Sequence, residues 1–123
     1  MERAPMTETT PLEQERRHAP RTMVSVPLRM YAEDDRLLLN ARTVDLSSCG
    51  ALLHGGGSLV VGQPVRVEIS RGPARNPLQL RAEIVRISQP NARRRQHGIA
   101  VRFTDVGELD AAILASIITA ARR

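Results

Sequence analysis

Asp45-Leu46-Ser47-Ser48-Cys49-Gly50 ends one extended, alternating segment and leads into another, Gly50-Ala51-Leu52-Leu53. Asp45 and Ser47 are two apart, so in a strand they share a face and Leu46 takes the other. With Leu46 in a core, a carboxylate and a hydroxyl point outward, and a glycine follows. Asp, Ser and Gly also favour turns. Alone, the stretch reads as a turn or as one wall of a binding site. On either reading it joins two β-strands, which sets the expectation for the fold.

The pattern continues on both sides. Thr22 to Tyr31 alternates, with Val24, Val26, Leu28 and Met30 on one face. Pro27 on the other face points to an edge or a bulge. Ala32-Glu33-Asp34-Asp35 is a turn. Arg36 to Ser47 predicts a second strand with Leu38, Val44 and Leu46 in one register. Arg42 breaks that register, which predicts a bulge or strong twist. Gly50 to Leu53 is a third strand, and Gly55-Gly56-Gly57 reads as a flexible loop. Val65, Val67 and Ile69 mark a fourth strand, Leu78, Leu80, Ala82 and Ile84 a fifth, and Ile99, Val101 and Phe103 a sixth.

A helix closes the chain over 105–121. Asp105 with Glu108 three residues on resembles a capping box. Leu109, Ile113, Ile117 and Ala121 recur at helical spacing, widened by Leu114 and Ile118. Six short strands separated by turns predict an all-β domain with a C-terminal helix, a small six-stranded antiparallel barrel. The helix covers an opening or edge of it, or packs on a second subunit. Residues 1–14 are polar and aperiodic and read as a tail. Residues 15–21 form an extended loop around Pro20, and 22–104 form the barrel.

The 123 residues suit one domain. Formal net charge is +5, and all 18 basic residues are Arg. Arginine offers a planar fork for phosphate or a guanine edge, so an anionic partner is expected. Tyr31 and Phe103 are the two aromatics. Single-strand binders stack bases on several, so nucleic acid is disfavoured despite Arg93-Arg94-Arg95. A lone Cys49 rules out an internal disulfide and a cysteine-based zinc site. His18, His54 and His97 show no metal-ligand spacing, so no metal is expected. No apolar run is long enough to span a bilayer, and the N-terminus lacks the apolar core of a signal peptide. The expected compartment is the cytosol.

An enzyme is the first rival. His54-Gly55-Gly56-Gly57 matches an oxyanion-hole motif of lipases, but the Gly-x-Ser-x-Gly elbow it requires is missing. No catalytic residues are assigned. In the N-terminal loop, Arg17 and Arg21 are four apart. Extended, their α-carbons reach up to roughly 13 Å, enough to clamp a ligand the size of a dinucleotide. A solvated basic run is the bland alternative.

Three features occur in order around six strands. They are Arg-x-x-x-Arg at 17–21, Asp-x-Ser-x-x-Gly at 45–50, and Gly98-Ile99-Ala100-Val101-Arg102-Phe103. Together they resemble the PilZ domain family, bacterial receptors for cyclic di-GMP, over residues 15 to 121. The resemblance implies a barrel with its ligand on the outer surface and two loop arginines folded over it. Arg17 and Arg21 would bind phosphate and guanine. Asp45 and Ser47 would contact a guanine, and Gly50 would shape the turn. Arg16 would help to hold the ligand. The chemistry agrees: guanine offers O6 and N7 to Arg, and its N1–H and amine to a carboxylate.

The implied activity is ligand-controlled regulation of a downstream protein in motility, biofilm or exopolysaccharide control. A homodimer through the helix is possible. The alternatives are a nucleotide-independent PilZ-type interaction module and a basic nucleic-acid-binding barrel.

Overall fold

The computed structural model describes residues 22–56, 58–92 and 95–122. The chain runs through β1 (Pro27–Tyr31), β2 (Leu37–Leu46), β3 (Gly50–Gly55), β4 (Pro64–Ile69), β5 (Leu78–Ser88), β6 (His97–Thr104) and α1 (Glu108–Ala121). The strands close into an antiparallel barrel in the order β1-β2-β3-β6-β5-β4, with β4 pairing back onto β1. This is the expected architecture. The expected tail, 15–21 loop and most of the Arg93–Arg95 run lie outside the described residues.

Inward side chains fill the interior. Leu28, Met30, Leu46, Leu53, Val67, Ile69, Ile84 and Ile99 are at most 1% exposed. Each such burial contributes about 1.5–3 kcal/mol relative to exposure. Leu114 and Ile117 of α1 join the same cluster, flanked by Ile113 and Ile118. The helix therefore packs on its own barrel.

Several expectations need correction. The first strand starts at Pro27, not Thr22. Residues 22–26 remain extended with Val24 and Val26 buried, but Thr43 replaces the regular ladder there. Its hydroxyl accepts from Val26 N at 3.0 Å and donates to the Val24 carbonyl, and its own N–H donates to Val26 O at 2.9 Å. Pro27 sits exposed at the first position of the strand, where a missing donor is tolerated.

In β2, Leu38 and Val44 are not in step with Leu46. They are the residues at which pairing shifts, opposite β1 and β3 respectively. Leu39, Ala41 and Thr43 lie opposite Met30, Leu28 and Leu53, and so face inward. Gly55 is no loop residue: it ends β3, buried, where a Cβ would lie 2.5 Å from a Leu39 methyl.

The helix starts later than expected. Asp105 has φ 59°, a left-handed conformation that Asp tolerates, and Gly107 takes the N-cap with no side-chain cap bond. Leu109 is 74% exposed, so the buried stripe begins at Ile113.

Candidate functional site

The end of β2 and the start of β3 build the site. After Thr43, which faces inward, simple alternation would aim Asp45 into the core and Leu46 out of it. Val44 is an extra residue between the pairs Thr43–Leu53 and Asp45–Leu52, and it reverses the order. Leu46 then enters the core opposite Ala51, and Asp45 turns to the outer wall opposite Leu52. Bulges commonly re-aim a side chain in this way.

Asp45 and Ser47 leave the interior as expected, but not for open solvent. They are 9% and 5% exposed. Ser47 also serves the turn. Its Oγ accepts from Cys49 N at 3.1 Å and Gly50 N at 3.3 Å, and its N–H donates to Gly50 O at 2.9 Å. The turn reading and the site reading of this stretch thus hold together.

Gly50 has no positive φ, so a left-handed turn is not what calls for glycine here. It lies opposite Arg102, and a Cβ there would sit 2.1 Å from the Val101 carbonyl oxygen. Backbone meets backbone, so a side chain cannot be accommodated without moving a strand.

Asp45, Ser47 and Gly50 line one hollow of about 30 Å³ on the barrel wall, floored by Leu52 and Ala100. A larger cavity, about 620 Å³, lies elsewhere, between α1, the start of β1 and the Ser70–Arg75 loop. Neither Asp45, Ser47 nor Gly50 lines it. That groove carries Arg71 and Arg75 but no carboxylate, whereas the wall hollow pairs the carboxylate of Asp45 with the guanidinium of Arg86, the donor and acceptor groups that a guanine nucleotide needs.

Arg16, Arg17 and Arg21 lie outside the described residues. The chain that carries them is nevertheless anchored at the hollow. Thr22, one peptide bond after Arg21, exchanges both backbone hydrogen bonds with Leu46, at 3.1 and 2.9 Å. Leu46 is the residue between Asp45 and Ser47.

Sequence reasoning missed Arg86 and Arg102, which line the same hollow. Arg102 is held by Glu83 at 2.9 Å. Arg86 was missed because the fifth strand was marked only by its core residues, Leu78 to Ile84, whereas it runs to Ser88 with a shift at Val85. The signal was the change from even-numbered core residues, 78 to 84, to Ile87. Elsewhere, Arg66 is occupied: it bonds Asp35 at 2.8 Å and Glu68 at 3.3 Å and stacks on Tyr31. The Asp35 hydrogen bond leads in holding its guanidinium above the ordinary value, so it stays charged throughout the working pH range.

Comparison with known proteins places these features. The sequence profile described as "PilZ domain" matches residues 15–120. No curated protein matches the chain. Among solved structures, the PilZ domain of YcgR from Escherichia coli with c-di-GMP superposes with TM-score 0.70 at 20% identity. That match covers 88% of this chain and 92% of the other. The Bacillus subtilis inhibitor of motility MotI/DgrA gives TM-score 0.66 at 16% identity, covering 85% of this chain but only 50% of its own. The MrkH–c-di-GMP complex of K. pneumonia gives 0.65 at 12%, covering 85% and 51%. This chain thus spans about half the length of MotI/DgrA and MrkH.

Proposed function

This chain belongs to the PilZ domain family, and from that premise we propose that it is a non-catalytic receptor for cyclic di-GMP. Asp45 and Ser47 form the wall of the guanine site, and Gly50 keeps β3 close against β6. Arg17 and Arg21 fold over the ligand and take phosphate and the O6/N7 edge of guanine, with Arg16 assisting. Binding orders residues 12–21 over the barrel and makes a new surface. That surface regulates a downstream protein in the cytoplasm, in motility, biofilm or exopolysaccharide control. Dimerisation through exposed parts of α1 is compatible with this reading.

The observation that carries the proposal is the Thr22–Leu46 bridge. It brings the chain bearing one motif to the middle of the other. The c-di-GMP complexes of YcgR and MrkH, on the same fold, add support.

Calorimetric titration tests it. Cyclic di-GMP should bind, whereas GTP and a DNA oligomer should not compete. Arg21→Ala and Asp45→Ala should each weaken binding by about 1–3 kcal/mol. No heat with cyclic di-GMP at high micromolar concentration would sink the proposal.

A further inference from the structure

The outer wall of the barrel carries a row of four residues across four strands. Asp45 of β2 lies opposite Leu52 of β3, Leu52 opposite Ala100 of β6, and Ala100 opposite Arg86 of β5. A carboxylate stands at one end of the row and a guanidinium at the other. Between them is an apolar floor. Three strand spacings separate the ends, roughly 14 Å.

Two independent irregularities create this row. In β2 the extra residue Val44 precedes Asp45, and in β5 the extra residue Val85 precedes Arg86. After the inward Ile84, simple alternation would point Arg86 into the core. The shift at Val85 sends it outward and leaves Ile87 opposite the buried Ile99. Each bulge therefore delivers the charged residue that follows it to the same face. Both residues line the same hollow.

Arg86 is also available. It is exposed, and no ion pair engages it among the described residues. Its neighbour Arg102, in the adjacent row opposite Gly50, is instead held by Glu83.

We propose that Arg86 is a ligand-contacting residue that reads the second guanine of cyclic di-GMP through its O6/N7 edge, while Asp45 takes the first. This inference rests on the function proposed above and extends it to the far end of the site. The row then acts as a ruler. A dinucleotide with guanines at both ends meets a donor-accepting carboxylate at one end and a donor fork at the other, with apolar floor beneath. A guanidinium at that place also disfavours adenine, whose exocyclic amine replaces the O6 acceptor.

The test uses the full chain and calorimetry with cyclic di-GMP and cyclic di-AMP. Arg86→Ala should weaken cyclic di-GMP binding roughly 5- to 100-fold and narrow the preference over cyclic di-AMP. Arg86→Lys should stay in the weakened range, because an ammonium lacks the planar fork. Arg81→Ala removes the same charge from the same strand, where Arg81 lies opposite Thr104 and away from the hollow. It should change binding by about twofold at most. Arg86 is solvent-exposed, so melting temperatures should coincide across the set. Unchanged binding by Arg86→Ala, full rescue by Lys, or an equal loss in Arg81→Ala would each overturn the inference. Absence of binding by the unaltered chain overturns the receptor proposal as well.

Discussion

Thr22 and Leu46 are joined by a reciprocal pair of backbone hydrogen bonds, although they lie far apart in sequence. Leu46 is fully buried between the two polar residues of the candidate site, so one side of this anchor is part of the core. The stitching continues through Thr43 to Val24 and Val26, and through Arg42 to Ser25 at 2.7 Å. Thr22, the residue that follows Arg21, is thus held at a fixed point on the barrel. Fixing the tether lowers the ordering cost of closing the segment over a ligand.

Thr22→Pro checks that tether. Proline removes the N–H that donates to Leu46 O. Stability should fall by about 1 kcal/mol, the ordinary worth of one hydrogen bond. Cyclic di-GMP affinity should fall by at least as much again, because the arginines lose their registration. Thr22→Ala keeps the backbone bond and should match the parent in both respects. Equal binding by the two variants would remove any role for the bridge.

Gly50→Ala separates close approach from flexibility. The added methyl meets the Val101 carbonyl oxygen at 2.1 Å, so β3 or β6 must shift. Denaturation in urea should show a loss of about 1–3 kcal/mol, as for other overpacked sites. Binding should fall with it. Gly56→Ala places its methyl in open space and should stay within about 0.5 kcal/mol. A loss at Gly50 no larger than that at Gly56 would mean that the close approach to Val101 does not explain the glycine.

The strands with unbroken alternation were legible in the sequence. Val65, Val67 and Ile69, and Ile99, Val101 and Phe103, all face the core as their spacing predicts. Asp45, Ser47 and Gly50 were found through motif and turn chemistry, and they do share one hollow. What period-two counting cannot supply is the position of an extra residue. A bulge changes the parity of everything after it, so Val44 looked like core while Thr43 did not, and Leu38, at the other shift, packs against the core only in part. Thr43 was illegible for a second reason: its hydroxyl is buried, and only long-range partners, Val24 and Val26, make that tolerable. The helix start failed because Asp105 is occupied in a left-handed turn between β6 and α1.

Thr43→Val tests the buried hydroxyl. The substitution keeps the shape but leaves the Val26 N–H and the Val24 carbonyl without this partner. Thr43 is 3% exposed, so water cannot readily replace it. A loss of about 1–3 kcal/mol is expected in chemical denaturation. Thr43→Ser retains the donor and acceptor and should lose less. If Thr43→Val loses less than Thr43→Ser, the methyl rather than the hydroxyl dominates at this position.

Amide exchange distinguishes closure of the arm from binding by a preformed surface. The proposed mechanism requires residues 14–21 to gain protection on saturation with cyclic di-GMP, since ordering a segment slows its exchange. The core strands should change little, because Leu28, Leu53 and Ile84 are already fully packed. Thr22 and Leu46 should be protected with or without ligand, because their mutual bonds belong to the anchored region. Arg21→Ala should abolish the new protection at ligand concentrations that saturate the parent. Unchanged exchange over 14–21 in the saturated parent would leave a receptor whose ligand binds without closing the arm, and the regulatory surface would then have to lie on the wall between Asp45 and Arg86.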